Sequence, residues 1–162
     1  MKTICAKPLT LESFNQYGNF TNLTDCSSTK IGENPIEFFR DIVSCNLCNI
    51  CPSFSVVKTW KRDMVIDEAE QHFYTAEALL PLDGDIVIFV APSTDRTVPF
   101  DEIEAFIVPK NTLVTVKSGV WHKAPFPVND EIVHSLVILP ERTYANDCLV
   151  VKFPEDKKIL IK

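Results

Sequence analysis

The sequence predicts an all-β protein, a sandwich or barrel formed as one domain over residues 1–162, with a short helix near its N-terminus. Short apolar or alternating runs succeed one another from Ser53 to Phe153, punctuated by Pro, Gly, Asn or Asp, and helical periodicity is weak after Gly18. With 162 residues and 46% hydrophobic content, the chain can fill one sizeable core, whereas two independent cores would be cramped. No internal repeat, low-complexity tract or linker divides it.

In chain order, Thr10 is placed to cap the short helix and Gly18 to end it in the left-handed conformation, with Leu11 and Phe14 turned to the core. Residues 19–34 are polar and without hydrophobic period, which predicts a loop. The sequons Asn19-Phe20-Thr21 and Asn22-Leu23-Thr24 read as chemistry of that loop. Asn34-Pro35 then opens either a helical turn carrying Ile36, Phe39 and Val43 or a strand with Phe38 inward.

Cys45, Cys48 and Cys51 recur every third residue, a spacing that invites an iron–sulfur or zinc reading. The iron–sulfur run needs a fourth cysteine before its proline, whereas Pro52 follows Cys51 directly. A closed zinc site would need one more ligand from Cys5, Cys26, Cys148 or a histidine. Small buried thiols in a Cys/Leu/Ile segment are the favoured alternative.

Beyond the cysteines, Phe54–Trp60 is the first longer strand, and residues 64–74 lead toward Ala78–Leu82. The segment Asp85–Ala91 is apolar at nearly every position, as a strand covered on both faces would be. Ile103–Val108, Leu113–Val116, Ile132–Leu139 and Leu149–Phe153 continue the series.

The formal charge of −6, with no Lys/Arg cluster, argues against nucleic acid and anionic membranes as partners. The N-terminal residues carry no apolar signal-like run, and no later run approaches the roughly 20 residues of a membrane span. The expectation is a soluble, cytoplasmic chain.

Two stretches carry candidate chemistry. Glu70 and His72 are two residues apart, so on an extended strand they leave the same face, and a turn near Thr75-Ala76 would return Glu77 toward them. Farther on, the alternating strand Leu113–Val116 runs through a glycine turn, Ser118-Gly119, into Val120-Trp121-His122. Glu70, His72, Glu77 and His122 form the candidate catalytic set and equally a candidate set of metal ligands. His134, outside both stretches, is assigned to the fold.

Glu70-x-His72-x4-Glu77-x6-Gly84 and Lys117-Ser118-Gly119-Val120-Trp121-His122 resemble the two motifs of the cupins, small jelly-roll β-barrels, with Glu70 where many members have a histidine and Lys117 where the second motif has proline. The resemblance narrows to the ureidoglycolate lyase family. Pro8-Leu9-Thr10, Phe14 and Tyr17-Gly18 are similar to its opening, and Glu70-Gln71-His72 with Glu77–Leu82 to its central signature. Val87–Pro92, Ile103–Phe106, Gly119–Pro125 and Asn146-Asp147-Cys148 are similar to its later segments, the last being one residue longer. Glu77 stands where the family has glutamine, and Lys123 where it has a second histidine.

The resemblance implies cleavage of ureidoglycolate, a small carboxylate, to glyoxylate and urea, and a homodimer. Two carboxylates and two imidazoles facing one cavity suit a divalent metal with two positions open; no organic cofactor is expected. Without metal, Glu70 and Glu77 would raise one another's proton affinity and a neighbouring histidine would favour its charged form. Arg40, Lys58 and Lys123 are candidate cations for a substrate carboxylate, and Trp121 is either a substrate platform or a core aromatic. The alternatives are a metal-dependent isomerase or other enzyme on a sugar or keto acid, made more credible by Glu77, and a module that binds a small molecule without turnover.

Overall fold

A computed structural model describes residues 1–26 and 28–162. The chain opens with β1 (Lys2–Ile4), β2 (Ala6–Pro8), helix α1 (Leu11–Phe14) and β3 (Gly18–Asn22). Two short pieces, β4 (Lys30–Ile31) and β5 (Phe38–Phe39), precede the long β6 (Pro52–Trp60). Then come β7 (Val65–Ile66), β8 (Glu68–Gln71), β9 (Glu77–Pro81) and β10 (Ile86–Val90). β11 (Glu104–Val108), β12 (Thr112–Val116), β13 (Phe126–Pro127) and β14 (Ile132–Pro140) follow. Helix α2 (Thr143–Asn146), β15 (Leu149–Lys152) and β16 (Ile159–Ile161) complete the chain.

One sheet runs β3-β12-β9-β14-β6, every neighbour antiparallel, and a second runs β13-β10-β11-β2. Alternation along β10 decides how they pack. Ile86, Ile88 and Val90 meet Leu79, Val114, Val116 and Val137 of the five-stranded sheet in one core. Val87, Phe89 and Ala91 leave the opposite face and enter a second core with Ile66, Phe153, Ile159 and Ile161. The near-continuous apolar run thus reflects a strand covered on both faces, as its composition predicts. The outer strands pair as β1-β16-β7 and β15-β8, so Lys2–Ile4 lies in register with Ile159–Ile161.

The N-terminal helix forms as expected, with Thr10 Oγ1 accepting from the Ser13 amide at 3.2 Å and Phe14 fully buried. Leu11, expected in the core, is exposed because four residues make barely one turn and only one side can face inward. Gly18 begins β3 instead of capping the helix. A Cβ there would sit 1.7 Å from the Thr115 carbonyl oxygen, so glycine allows β3 to close on β12. The segment expected to be all loop therefore begins with a strand, whose polar residues are held by backbone pairing.

Phe38 lies in a two-residue ladder with Ile31 and points outward, correcting the inward reading. The cysteines of the 45–51 segment are free, and Cys48 lies in a turn where it and Asn49 have positive φ. Cys48 and Cys51 are exposed, so the buried-thiol reading fails for them, whereas Cys45 is half-buried and burial raises its thiol; among the described residues no metal-sized cluster includes any of the three. Among the described residues, no helix is long and apolar enough to cross a membrane.

Candidate active site

β8 delivers Glu70, the turn after it delivers His72, and β9 delivers Glu77. An isolated antiparallel bridge joins Glu70 to His122, with amide–carbonyl distances of 2.7 and 3.0 Å. The turn before His122 is tied to the first stretch as well, since the Gly119 amide donates to the His72 carbonyl at 2.6 Å. Gly119 has φ +82°, a left-handed conformation that glycine adopts freely, and a Cβ would also meet Ser93. Sequence spacing and backbone geometry thereby bring all four residues together, every one buried, with one ligand atom from each lying within 4.8 Å of the others.

The histidines are oriented from behind. His72 Nδ1 lies 2.5 Å from the Asp147 carbonyl and His122 Nδ1 lies 2.9 Å from that of Val120. A carbonyl only accepts, so both Nδ1 atoms carry protons and both Nε2 atoms face inward. His122 Nε2 is 3.3 Å and His72 Nε2 3.4 Å from the same oxygen, Glu77 Oε2. His72 Nε2 is fully buried and, among the described residues, has no hydrogen-bond partner. With neutral imidazoles, three lone pairs would converge on one point, an arrangement that a proton or a metal cation reconciles. The residues present therefore fit a divalent cation with nitrogen and oxygen ligands.

Charge in the cation-free site follows from the same geometry. Burial alone would push the Glu77 carboxyl up, but His122 and then His72 outweigh it and hold it down to about 2. Burial disfavours the His122 imidazolium, yet Glu77, and at longer range Glu70, raise it to about 9. The expectation that Glu70 and Glu77 raise one another's proton affinity is overturned for Glu77, because two imidazoles stand closer to it than the other carboxylate. Glu70 has a partner of its own in Lys123, whose Nζ donates to Glu70 Oε2 at 2.9 Å and lies 3.3 Å from Glu68 Oε1.

The cavity holding Glu70, Glu77 and His122 runs between the two main sheets. Its floor is apolar, from Val57, Leu79, Ile88, Val90, Val116 and Val137, and Lys123 and Tyr144 stand among its other lining residues. Among the described residues, Lys123 is the one lysine or arginine that lines it. Arg40 is exposed in the segment after β5 and lines no part of this cavity. Lys58 is also outside, because Val57 faces inward and its neighbour must face outward, where Lys58 lies over Trp60. Trp121 is fully buried in the second core with Nε1 donating to Thr94 Oγ1 at 2.8 Å, so it is a core aromatic and not a platform. His134 pairs with Asp83 at the surface, consistent with a role in the fold.

Three residues near the site escaped the sequence reading. Tyr144, on α2, sets its ring edge-on to His72 with centroids 6.3 Å apart; burial and the charges of Glu77 and Glu70 raise its hydroxyl to about 12. Asp147 accepts from the amides of Phe73, Tyr74 and Thr75 at 2.7, 3.0 and 3.2 Å, and its own carbonyl holds His72. Cys148 Sγ lies 3.8 Å from Glu70 Oε2, and burial followed by the Glu70 charge pushes its thiol up to about 11. The one available signal was the Asn146-Asp147-Cys148 segment, whose spacing says nothing of what it touches.

Two packed sheets with a histidine/carboxylate cluster set between them define a cupin. The family model for ureidoglycolate lyase matches residues 1–160, and the chain belongs to that family. The ureidoglycolate lyase of Escherichia coli (strain K12) is 23% identical over 153 residues, 93% of this chain and 94% of the relative. That of Stutzerimonas stutzeri (strain A1501) is 22% identical over 166 residues, 99% of this chain and 96% of the relative. Among solved structures, a dTDP sugar isomerase from Desulfovibrio desulfuricans G20 superposes with a TM-score of 0.52 at 10% identity, covering 86% of this chain and 85% of that one, which is a likeness of fold.

Proposed function

We propose that this protein cleaves ureidoglycolate to glyoxylate and urea. The observation that carries the reading is the opposed pair inside one cavity, an imidazole held protonated by Glu77 and a second carboxylate, Glu70, held by a lysine. Membership of the family supports the substrate.

Cleavage needs the C2 hydroxyl to lose its proton while the C2–N bond breaks. The O–H electrons become the carbonyl of glyoxylate, and the C–N pair leaves on the urea nitrogen, which takes up a proton. Glu70 is the proton acceptor, and His122 in its charged form is the donor. Glu77, kept ionised by two imidazoles, is too weak a base for the first task and instead maintains the charge of His122. Lys123 receives the substrate carboxylate. A divalent cation held by Glu70, His72, Glu77 and His122 would engage His122 and Glu70 themselves, so it would stand in place of this proton transfer, supplying Lewis-acid polarisation of the hydroxyl oxygen instead.

The same reading includes a cytoplasmic, one-domain homodimer working in purine (allantoin) breakdown. In-register pairing of the two ends of the chain in β1 and β16 supports one domain. The edge strand β6, which exposes Phe54, Val56 and Trp60 on its outer face, supports self-association. The activity is tested by incubating purified protein with ureidoglycolate, with and without added Mn²⁺, and measuring both products. Equimolar urea and glyoxylate are expected; glyoxylate without urea, or neither product under both conditions, would refute the assignment.

A further inference from the structure

We propose that Lys123 is an exchangeable counter-cation: it neutralises Glu70 while the site holds no metal, and moves to the carboxylate of a bound small acid when a divalent cation takes Glu70. The inference rests on the metal-binding reading of the four-residue cluster and concerns a residue outside it.

The cluster is electrostatically divided. His72 and His122 both direct Nε2 at Glu77 Oε2, leaving Glu70 as the member satisfied from elsewhere. Its partner is an ammonium at 2.9 Å, a strong charge-assisted contact on the carboxylate that a metal would also need. A cation entering the cluster brings a second positive charge to that buried carboxylate, and the two charges repel. Lys123 has somewhere to go. Glu68 Oε1 already stands 3.3 Å from its Nζ on the more exposed side, and Lys123 lines both the site cavity and an adjoining one bounded by Glu68, Asp67 and Arg62.

The flexible four-carbon stem allows a short swing without movement of the backbone. Released from Glu70, the ammonium would be the one lysine or arginine lining the site cavity among the described residues, facing an anion that a bound metal also attracts. Metal and carboxylate should therefore bind cooperatively, with part of the coupling carried by Lys123.

The test is calorimetric titration of the full-length protein with Mn²⁺, alone and in saturating glyoxylate, for wild type, Lys123→Met and Lys123→Gln. Both variants should bind Mn²⁺ alone about tenfold more tightly than wild type, and the tightening by glyoxylate should be several-fold larger in wild type than in either variant. Weaker Mn²⁺ binding in Lys123→Met, restored in Lys123→Gln, would mean that the lysine merely orients Glu70 by hydrogen bonding and would overturn the proposal. Unchanged affinity in both variants would overturn it too, while leaving the metal reading intact. No Mn²⁺ binding by any of the three proteins would overturn the metal reading and this proposal together, whereas binding by the variants alone would support the exchange in its strongest form.

Discussion

Glu77 concentrates the physics of the site in one side chain. It is buried, yet it stays ionised because two imidazole Nε2 atoms approach one of its oxygens. In the metal-free protein its folded-state pKa, about 2, lies below the ordinary 4.5, so its contribution to stability is fully present above 4.5 and is lost as pH falls through 2. His122 is raised from 6.5 to about 9, so its contribution is complete below 6.5 and is lost as pH rises through 9. Thermal unfolding in chelator should therefore show a plateau from about 4.5 to 6.5 in this contribution, with an alkaline decline over the following units. Glu77→Gln should abolish most of that alkaline decline, and a decline of unchanged size would show that His122 does not titrate against Glu77. The same substitution removes an anionic ligand and should lower Mn²⁺ affinity by at least the 10–100-fold typical of disturbing a metal site's surroundings, as measured by competition with a fluorescent chelator.

At the scale of elements, the site depends on the turn from His72 to Ala76 and on the segment that covers it, α2 with Asp147. The Asp147 carboxylate gathers three successive amides of that turn while its carbonyl fixes the His72 tautomer. Asp147→Ala should destabilise the protein by about 2 kcal/mol in urea unfolding, since it strips a charged acceptor from several donors. It should also speed hydrogen exchange at Phe73, Tyr74 and Thr75, and Asp147→Asn should recover part of both losses. Protection factors unchanged in Asp147→Ala would remove this segment's role in positioning His72.

The same elements explain what the sequence could and could not disclose. Glu70 and His72 are legible because alternation along an extended chain is a local rule that still holds one residue past the end of β8, and β10 is legible because burial on two faces leaves an uninterrupted apolar run. β3 is hidden because its polar residues pair through the backbone, with a glycine needed for close approach to Thr115. Lys58 and Arg40 suggested themselves by charge alone, and only the pleat beside Val57 and the path of the chain after β5 show them to be outside. Asp147 and Tyr144 contact the site from some 70 residues away along the chain, a relationship that no local pattern encodes.

For the whole molecule, the four-stranded sheet is the central layer, sharing one core with the five-stranded sheet and the other with the outer strands. That arrangement covers β10 fully but leaves β6 as an edge, with Phe54, Val56 and Trp60 61–67% and 57% exposed along one face. Exposed apolar side chains on an unpaired edge are a common basis for isologous association. Light scattering should give about twice the 18.3 kDa chain mass at micromolar concentration, falling to the monomer in Val56→Glu/Trp60→Glu with the metal site intact. A monomeric wild type would separate the edge strand from assembly.

In the proposed cleavage of ureidoglycolate, Glu70 takes the C2 hydroxyl proton and His122 gives a proton to the departing urea nitrogen. The most direct test of these roles is the initial rate of urea release by wild type, Glu70→Gln and His122→Ala, assayed side by side at saturating ureidoglycolate with the folded state of each confirmed. Turnover by wild type with equimolar glyoxylate is expected, with a loss of about 10²–10⁴-fold in each variant. Urea release at the wild-type rate by either variant, or none from the wild-type protein with or without Mn²⁺, would contradict these roles.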